Sequence, residues 1–350
     1  MSQKALNGIK VLDLSENLPG PYTALILAGL GAEVTKVERP GGDPAKRLPS
    51  LYRVLNRGKN VVMADLKSAA GFTKVESLIC DADVVIESFR PGTMKNLGFD
   101  FSELMKVHPQ KIFVSISGYG QQGPWAHRPA HDLNLQAISG FSFLERKSKK
   151  IMGKTVLPVA DLSASFLAVI QILAALLQKE QRQEGTHLDI AMVDALYHWV
   201  RLWSEGTHPE QWDEENQKGK IKQLVQGSLE RLRLFALPHY DIFPVKDGHM
   251  ALGIVMEKKF WKILMARAGR GFMKDFSVPM RLISRQIIRQ VLARRFSQKT
   301  TQEWQEQMAD EIPITPVLSS ESATVHEVLQ QRPGVQDGWL GVPFKVPDLD

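Results

Sequence analysis

The chain has one cysteine, Cys80, in 350 residues, so no disulfide can form within it. Long apolar runs are missing as well. The greasiest stretch, residues 166–177, is interrupted by Gln171 and falls short of the ~20 residues that cross a bilayer. Residues 1–7, ahead of the first apolar run, hold no signal-peptide core. Together these absences point to a reducing, aqueous compartment, most simply the cytoplasm. Several motifs are absent too. No GxGxxG follows the first strand-like run, which disfavours an NAD-dependent dehydrogenase. There is no GxSxG elbow, no HExxH, no cysteine pair and no phosphate-binding GxxxxGKS/T, so the commonest hydrolase, zinc-enzyme and nucleotide triphosphatase readings fall away. No metal site is expected.

What is present is an ordinary globular composition, 43% hydrophobic and 23% charged. The length exceeds what one core usually holds, so two domains are expected. The net charge of +6 is spread along the chain rather than gathered in a stripe or tail. That pattern favours a small anionic ligand over a nucleic acid.

The first half alternates β-branched runs with helical patterns. Residues 9–14, 33–38, 61–63, 83–86 and 112–114 read as strands. Pro19-Gly20-Pro21 makes a turn that opens a helix over 22–30, ended by Gly31. Strand, helix and strand in this order imply parallel pairing. A long helix is expected from 162 to about 179, with Phe166, Val169, Ile170, Leu173 and Leu177 as a core stripe, and another from 191 to 203. A polar segment, 204–222, reads as linker or solvated helix. Beyond it, 250–255 reads as a strand, 258–268 as a helix and 281–296 as a basic, solvated helix. Residues 313–317 read as a return crossing to the first domain.

Chemistry concentrates in the loops that follow strands, where open α/β sheets bind ligands. Asn56-Arg57-Gly58-Lys59, Phe89-Arg90-Pro91-Gly92 and Ser117-Gly118-Tyr119-Gly120 each combine glycine with a cation or a polar group. His131-Asp132 follows a proline-bearing loop. Asp132 is well placed as an N-cap for the helix after it, and His131 reads equally well as a surface histidine. Asp161, at the start of the long helix, has two readings that position alone does not separate. It is a cap, or it is a reactive carboxylate held where backbone N–H groups stabilise an oxyanion.

These residues resemble the class III CoA-transferase and α-methylacyl-CoA racemase family. The resemblance runs from Gly8-Ile9-Lys10-Val11-Leu12-Asp13-Leu14-Ser15 through Gly31-Ala32-Glu33-Val34, Asp65-Leu66-Lys67, His131-Asp132-Leu133-Asn134, Ala160-Asp161 and Asp189-Ile190-Ala191-Met192-Val193-Asp194, to about Arg332. It implies an α/β fold: a large Rossmann-like parallel-sheet domain, a smaller α/β domain, and two chains interlocked as a homodimer. The implied large CoA-binding domain covers 1–203 and 313–350, the linker 204–224 and the small domain 225–312. By the same resemblance Arg39, Arg57, Lys59, Arg90 and Asp132 contact coenzyme A. The acyl-CoA thioester is the substrate, and no cofactor is bound permanently.

Two mechanisms share the family. In the transferases the carboxylate matching Asp161 attacks the thioester and forms a mixed anhydride. In the racemases that carboxylate and the histidine matching His131 act as paired bases around an enolate, and a glutamate matching Glu257 supports the histidine. The His-Asp-Leu-Asn form of the motif, Leu18 where formyl-CoA transferases place a glutamine, and no glycine run near 234–241 favour the racemase branch. The leading expectation is therefore inversion of a 2-methyl-branched acyl-CoA, with CoA transfer through Asp161 as the alternative. A CoA-binding protein without catalysis is the reading from another class. Two departures bear on substrate: Leu162-Ser163-Ala164-Ser165 replaces the glycines usual after the aspartate, and residues 211–237 are unlike the family.

Overall fold

The computed structural model describes residues 4–144, 155–204, 237–255, 257–330, 335–336 and 339–340. The chain divides into two compact units, Met1–Leu202 with Val328–Asp350, and Trp203–Glu327. Apart from Ser204 and Leu237, the expected linker and the unusual 211–237 segment lie outside the described residues.

In the first unit six strands form one sheet: β1 (Lys10–Asp13), β2 (Glu33–Glu38), β3 (Asn60–Met63), β4 (Val84–Glu87), β5 (Ile112–Ser117) and β6 (Thr186–Ala191). Their order is β3-β2-β1-β4-β5-β6 and every pair is parallel. This is the order of a doubly wound sheet, in which the chain leaves β1 toward one edge and returns beside it as β4 toward the other. The β-branched runs at 9–14, 33–38, 83–86 and 112–114 thus form strands where expected. β6 forms a sixth strand that no β-branched run announces: three of its first four residues, Thr186, His187 and Asp189, are polar, and its exposure alternates as in a strand with one covered face.

Alternation along the inner strands splits the core in two. Val11, Val84, Ile86, Ile112, Val114 and Ile116 face one side. There they meet α1 (Pro19–Gly29) and α8 (Val159–Arg182). Leu12, Val85 and Phe113 face the other, against Val75 and Ile79 of α3 (Ala69–Asp81) and Phe101 of α5 (Phe101–Val107). Covering both faces lets the inner strands be continuously apolar. Shorter helices complete the unit: α2 (Pro49–Leu55), α4 (Thr93–Asn96), α6 (Asp132–Ile138), α7 (Phe141–Leu144) and, after β6, α9 (Met192–Ser204).

The long helix departs from expectation. It begins three residues earlier, and its buried stripe is small: Ala160, Ala164, Ala168, Ile172 and Ala175. Small side chains let α8 lie close to α1 and the sheet. Of the expected stripe, Val169 is buried and Phe166 and Leu173 pack against the core, whereas Ile170 and Leu177 are 62% and 64% exposed. With 24 residues and high hydropathy, α8 is long and apolar enough to cross a bilayer, although its small-residue face forms part of the unit's core.

The second unit holds an antiparallel sheet of β7 (Tyr240–Val245), β8 (Gly248–Gly253) and β9 (Ile314–Pro316). The segment expected to return to the first domain is therefore the third strand of the small sheet, pairing Ala251 with Thr315. α10 (Lys258–Arg267), α11 (Val278–Ile283), α12 (Arg285–Phe296) and α13 (Thr301–Met308) accompany it. The basic stretch expected as one solvated helix is two helices, and both are anchored. Ile288, Leu292 and Phe296 are buried, and Arg281 is 1% exposed. The Arg281 guanidinium lies 4.4 Å over the Trp261 ring, its Nε donates to the Phe276 carbonyl at 2.9 Å, and it faces the buried His239. Burial pushes the His239 imidazole down to about 4, so at neutral pH it stays uncharged beside the arginine.

Candidate active site

The carboxyl ends of the parallel strands carry the candidate site, and β1 and β4 are the neighbours at which the winding direction reverses. Their loops are tied together. Glu16 N–H donates to Ser88 Oγ at 3.1 Å, and the Ser88 hydroxyl donates to the Glu16 carbonyl at 3.3 Å. The β1 loop then turns through Asn17, which adopts φ 66°, and enters α1 at Pro19. Gly20 sits so close to Ser15 that an added Cβ would fall 2.2 Å from its side chain. A residue larger than glycine there would push the start of α1 off the sheet.

Beneath this loop lies a buried set of four charges. Lys59 Nζ meets Asp13 Oδ2 at 2.9 Å and also donates to the Pro21 carbonyl at 2.8 Å. Lys36 Nζ meets Asp43 Oδ2 at 3.0 Å and lies 4.0 Å from Asp13. Two cations balance two anions, and further bonds satisfy them: Lys36 donates to the Ser15 carbonyl at 2.7 Å, and Asp43 Oδ1 accepts from Ala45 N–H and Asn17 N–H. Burial works against the Asp13 carboxylate, but Lys59 and Lys36 outweigh it and hold its pKa below the ordinary value. Lys59, expected as a CoA contact, thus has its ammonium committed inside the protein.

The other expected cations are outside. Arg57 and Arg90 are exposed, and Arg90 makes no salt bridge among the described residues. Arg39 is exposed and pairs with Glu16 at 3.0 Å. The Arg90 loop is held from below by Glu87, a residue the sequence did not single out. Its buried carboxylate accepts Phe89 N–H at 2.7 Å, and burial pushes its pKa up to about 7. The Gly118–Gly120 loop is held in a similar way by Asp189, whose two oxygens accept Gln121 N–H at 3.1 and 2.9 Å. Glu87 acts two residues along its own chain, whereas Asp189 reaches a backbone group 68 residues away, a relation that no local motif announces.

Asp161 lies in the first turn of α8, with Pro158 in the cap position. It is therefore not the N-cap. Its carboxylate is largely withdrawn from water, and among the described residues it accepts no hydrogen bond from the protein. Burial first, and then the charge of Asp132, push its pKa up to about 7. Ser165, one turn along, has its Oγ 2.9 Å from the Pro19 carbonyl and 2.8 Å from the Asp161 carbonyl. The aspartate turn is thereby docked against the β1 loop. Ser163, Ala164 and Ser165, the departures from the usual glycines, are all buried in this packing.

The helix α6 brings the remaining pair. His131 is its exposed cap residue, and its N–H donates to Asn134 Oδ1 at 3.0 Å. Asp132, expected to cap its own helix, is instead that helix's first residue and caps α8. Its Oδ1 accepts Ala160 N–H at 2.7 Å and Asp161 N–H at 3.4 Å. So Asp132 and Asp161 are brought together, with His131 adjacent to Asp132 in the chain. Glu257 belongs to the second unit, where it precedes α10 and its Oε2 accepts Val255 N–H at 2.9 Å.

Comparison with known proteins fits this arrangement. The family model for CoA-transferase family III matches residues 6–347. An acetyl-CoA:oxalate CoA-transferase of Acetobacter aceti is 36% identical over 57% of this chain and 54% of its own length. A succinate–glutarate CoA-transferase of Agrobacterium fabrum is 35% identical over 54% of this chain and 51% of its own. The chain thus aligns with about half the length of each of these two relatives. Among solved structures, a CAIB/BAIF family protein from Brucella suis superposes with a TM-score of 0.82 at 26% identity, covering 99% of this chain and 94% of that one.

Proposed function

The chain is an enzyme of CoA-transferase family III, and from that premise we propose that it moves coenzyme A between two carboxylic acids with Asp161 as nucleophile. The observation that carries this reading is the state of the Asp161 carboxylate, poised near neutrality and free of protein hydrogen bonds among the described residues. An Asp161 oxygen attacks the thioester carbonyl, the carbon–sulfur bond breaks, and CoA leaves as its thiolate with an acyl–aspartyl anhydride behind it. The thiolate then attacks the aspartyl carbon and releases the first acid. The acceptor carboxylate repeats the steps in reverse, and Asp161 is restored when CoA takes the new acyl group. Each step needs the aspartate ionised and bulk water excluded, since water would hydrolyse the anhydride.

The relatives named above act on acetyl, oxalate, succinate and glutarate groups, which makes small mono- and dicarboxylates the first substrates to try. Arg90 and Arg57 are the exposed cations that support a phosphate-bearing CoA at the loop ends. The test is to incubate the enzyme with acetyl-CoA or succinyl-CoA, add hydroxylamine, and map the peptides by mass spectrometry. A hydroxamate at Asp161 is expected, and its absence in Asp161→Asn. A productive enzyme with no modification at Asp161 would refute the nucleophile assignment.

Beside the sequence features given above, one structural feature supports the racemase reading, the exposed His131 next to Asp132. It predicts deuterium uptake at the carbon next to the thioester carbonyl when a 2-methyl acyl-CoA is incubated in heavy water, and loss of that uptake in His131→Ala. CoA transfer in His131→Ala remains. The homodimer implied by the resemblance is retained as part of the proposal, with exposed Tyr197, Trp199 and Leu202 of α9 as apolar surface for it. Light scattering at a mass near 39 kDa would refute it.

A further inference from the structure

α8 is a 24-residue helix whose cap residue, Pro158, offers no side-chain acceptor. Its first N–H groups need a partner, because unmet donors at a helix start are costly when shielded from water. The partner comes from another helix. Asp132 Oδ1 accepts from Ala160 N–H at 2.7 Å and from Asp161 N–H at 3.4 Å. The other oxygen, Oδ2, accepts from the Gln136 amide, which also donates to Thr155 Oγ at 3.0 Å. The Thr155 hydroxyl in turn donates to the Leu157 carbonyl at 2.7 Å. Gln136, at the centre of this chain of bonds, is 1% exposed, the bonds from Asp132 to Gln136 and to α8 are part-buried, and the outer Thr155–Leu157 link is exposed.

We propose that Asp132 is the positioning residue of the site: it fixes the turn that carries Asp161 and holds a second carboxylate beside it. The inference rests on Asp161 being the reacting group. Two carboxylates at one helix start repel, so the same oxygen that orders the turn makes Asp161 more reluctant to ionise. Among the described residues Asp132 is the charge that acts on Asp161. On α6 the neighbouring titratable group is the exposed cap residue His131. The start of α1, Pro19-Gly20-Pro21, supplies none, and Lys59, which reaches the Pro21 carbonyl, is neutralised by Asp13.

The two roles are separated by two substitutions. Asp132→Asn keeps an acceptor oxygen and removes the charge, whereas Asp132→Ala removes both. In the full chain, the Asp161 carboxyl is titrated by ¹³C NMR with labelled aspartate, assigned by its loss in Asp161→Asn. Exchange of the Ala160 and Asp161 amides is followed alongside. Asp132→Asn is expected to lower the Asp161 midpoint by about one unit with amide exchange unchanged. Asp132→Ala is expected to speed exchange at both amides by about tenfold or more. An Asp161 midpoint unmoved in Asp132→Asn would overturn the charge role, and unmoved exchange in Asp132→Ala would overturn the positioning role. Should Asp132→Ala fail to fold, the Asp132→Asn titration still decides the first. None of these readouts uses substrate, so a failed nucleophile assignment would show only in the hydroxamate experiment.

Discussion

Lys59 and Asp13 are 46 positions apart in the chain and 2.9 Å apart in space, with both side chains fully withdrawn from solvent. Removing one partner leaves the other charge buried and uncompensated. Lys59→Met is therefore expected to destabilise the protein by about 3–5 kcal/mol. Asp13→Asn combined with Lys59→Met should recover most of that loss, because Lys36 and Asp43 still neutralise one another at 3.0 Å. Urea denaturation of the two variants checks this. A double variant as unstable as the single one would show that the pair acts through shape rather than charge.

The raised pKa of Asp161, about 7, makes a prediction for activity and another for stability. Turnover needs the ionised form, so kcat/KM should climb with pH through about 7 and level off above it. For stability the sign is reversed from that of a paired carboxylate. The folded state holds the proton more tightly than the unfolded chain, so stability falls as pH rises from the ordinary aspartate range toward 7. Asp161→Asn should abolish transfer yet melt higher than the parent at pH 8, by about 1–3 kcal/mol, and match it near pH 4. Melting curves at the two pH values are the measurement.

Arg90 is exposed and makes no ion pair among the described residues, so its loss costs the fold little. Arg90→Ala is expected to raise KM for the acyl-CoA by about tenfold at low salt with kcat nearly unchanged, and the difference should shrink at high salt. Lys59→Met, by contrast, acts on stability. Steady-state kinetics at two ionic strengths tell the two lysine- and arginine-bearing loops apart.

Pro19 presents its carbonyl to two hydroxyls, Thr23 at 2.8 Å and Ser165 at 2.9 Å. Ser165→Ala alone leaves Thr23 in place and should cost about 1 kcal/mol. Thr23→Val added to it removes both hydroxyls from that carbonyl and also the Thr23 contact to the Ser165 carbonyl at 3.4 Å, which loosens α1 from α8. The combined loss is expected to exceed the sum of the single losses, read from a double-mutant cycle in urea.

The sheet was legible because its inner strands are apolar on both faces, and runs such as Val84-Val85-Ile86 admit few other readings. The edge strand β6 was not, because Thr186, His187 and Asp189 are polar and it carries no apolar run like those of the inner strands. α8 was found by its periodicity, and Val169, Phe166 and Leu173 of its expected stripe do meet the core, but Ile170 and Leu177 do not: large residues dominate a hydropathy pattern, while the closest helix contact here is made by alanines and serines. Asp161 and His131 were singled out by the family's motifs, and their chemistry stands as the proposal above. The partnership of Asp132 with α8 was not, since an N-cap is sought within one turn of its helix and this one comes from residue 132 to residues 160 and 161. Lys59 misled for a related reason: a lysine beside an arginine and a glycine looks like a phosphate ligand until its partner, far away in sequence, is seen.

The buried quartet of Asp13, Lys36, Asp43 and Lys59 turns two lysines into reporters. An amine-acylating reagent reaches only uncharged, accessible amines, and these two ammonium groups have no exposed side-chain surface. Surface lysines such as Lys95 and Lys106 will be modified at once. Lys36 and Lys59 will be modified only as often as the carboxyl end of β1 opens. Their labelling rate is thus a clock for the opening of that corner of the sheet, readable in the intact enzyme without any substrate.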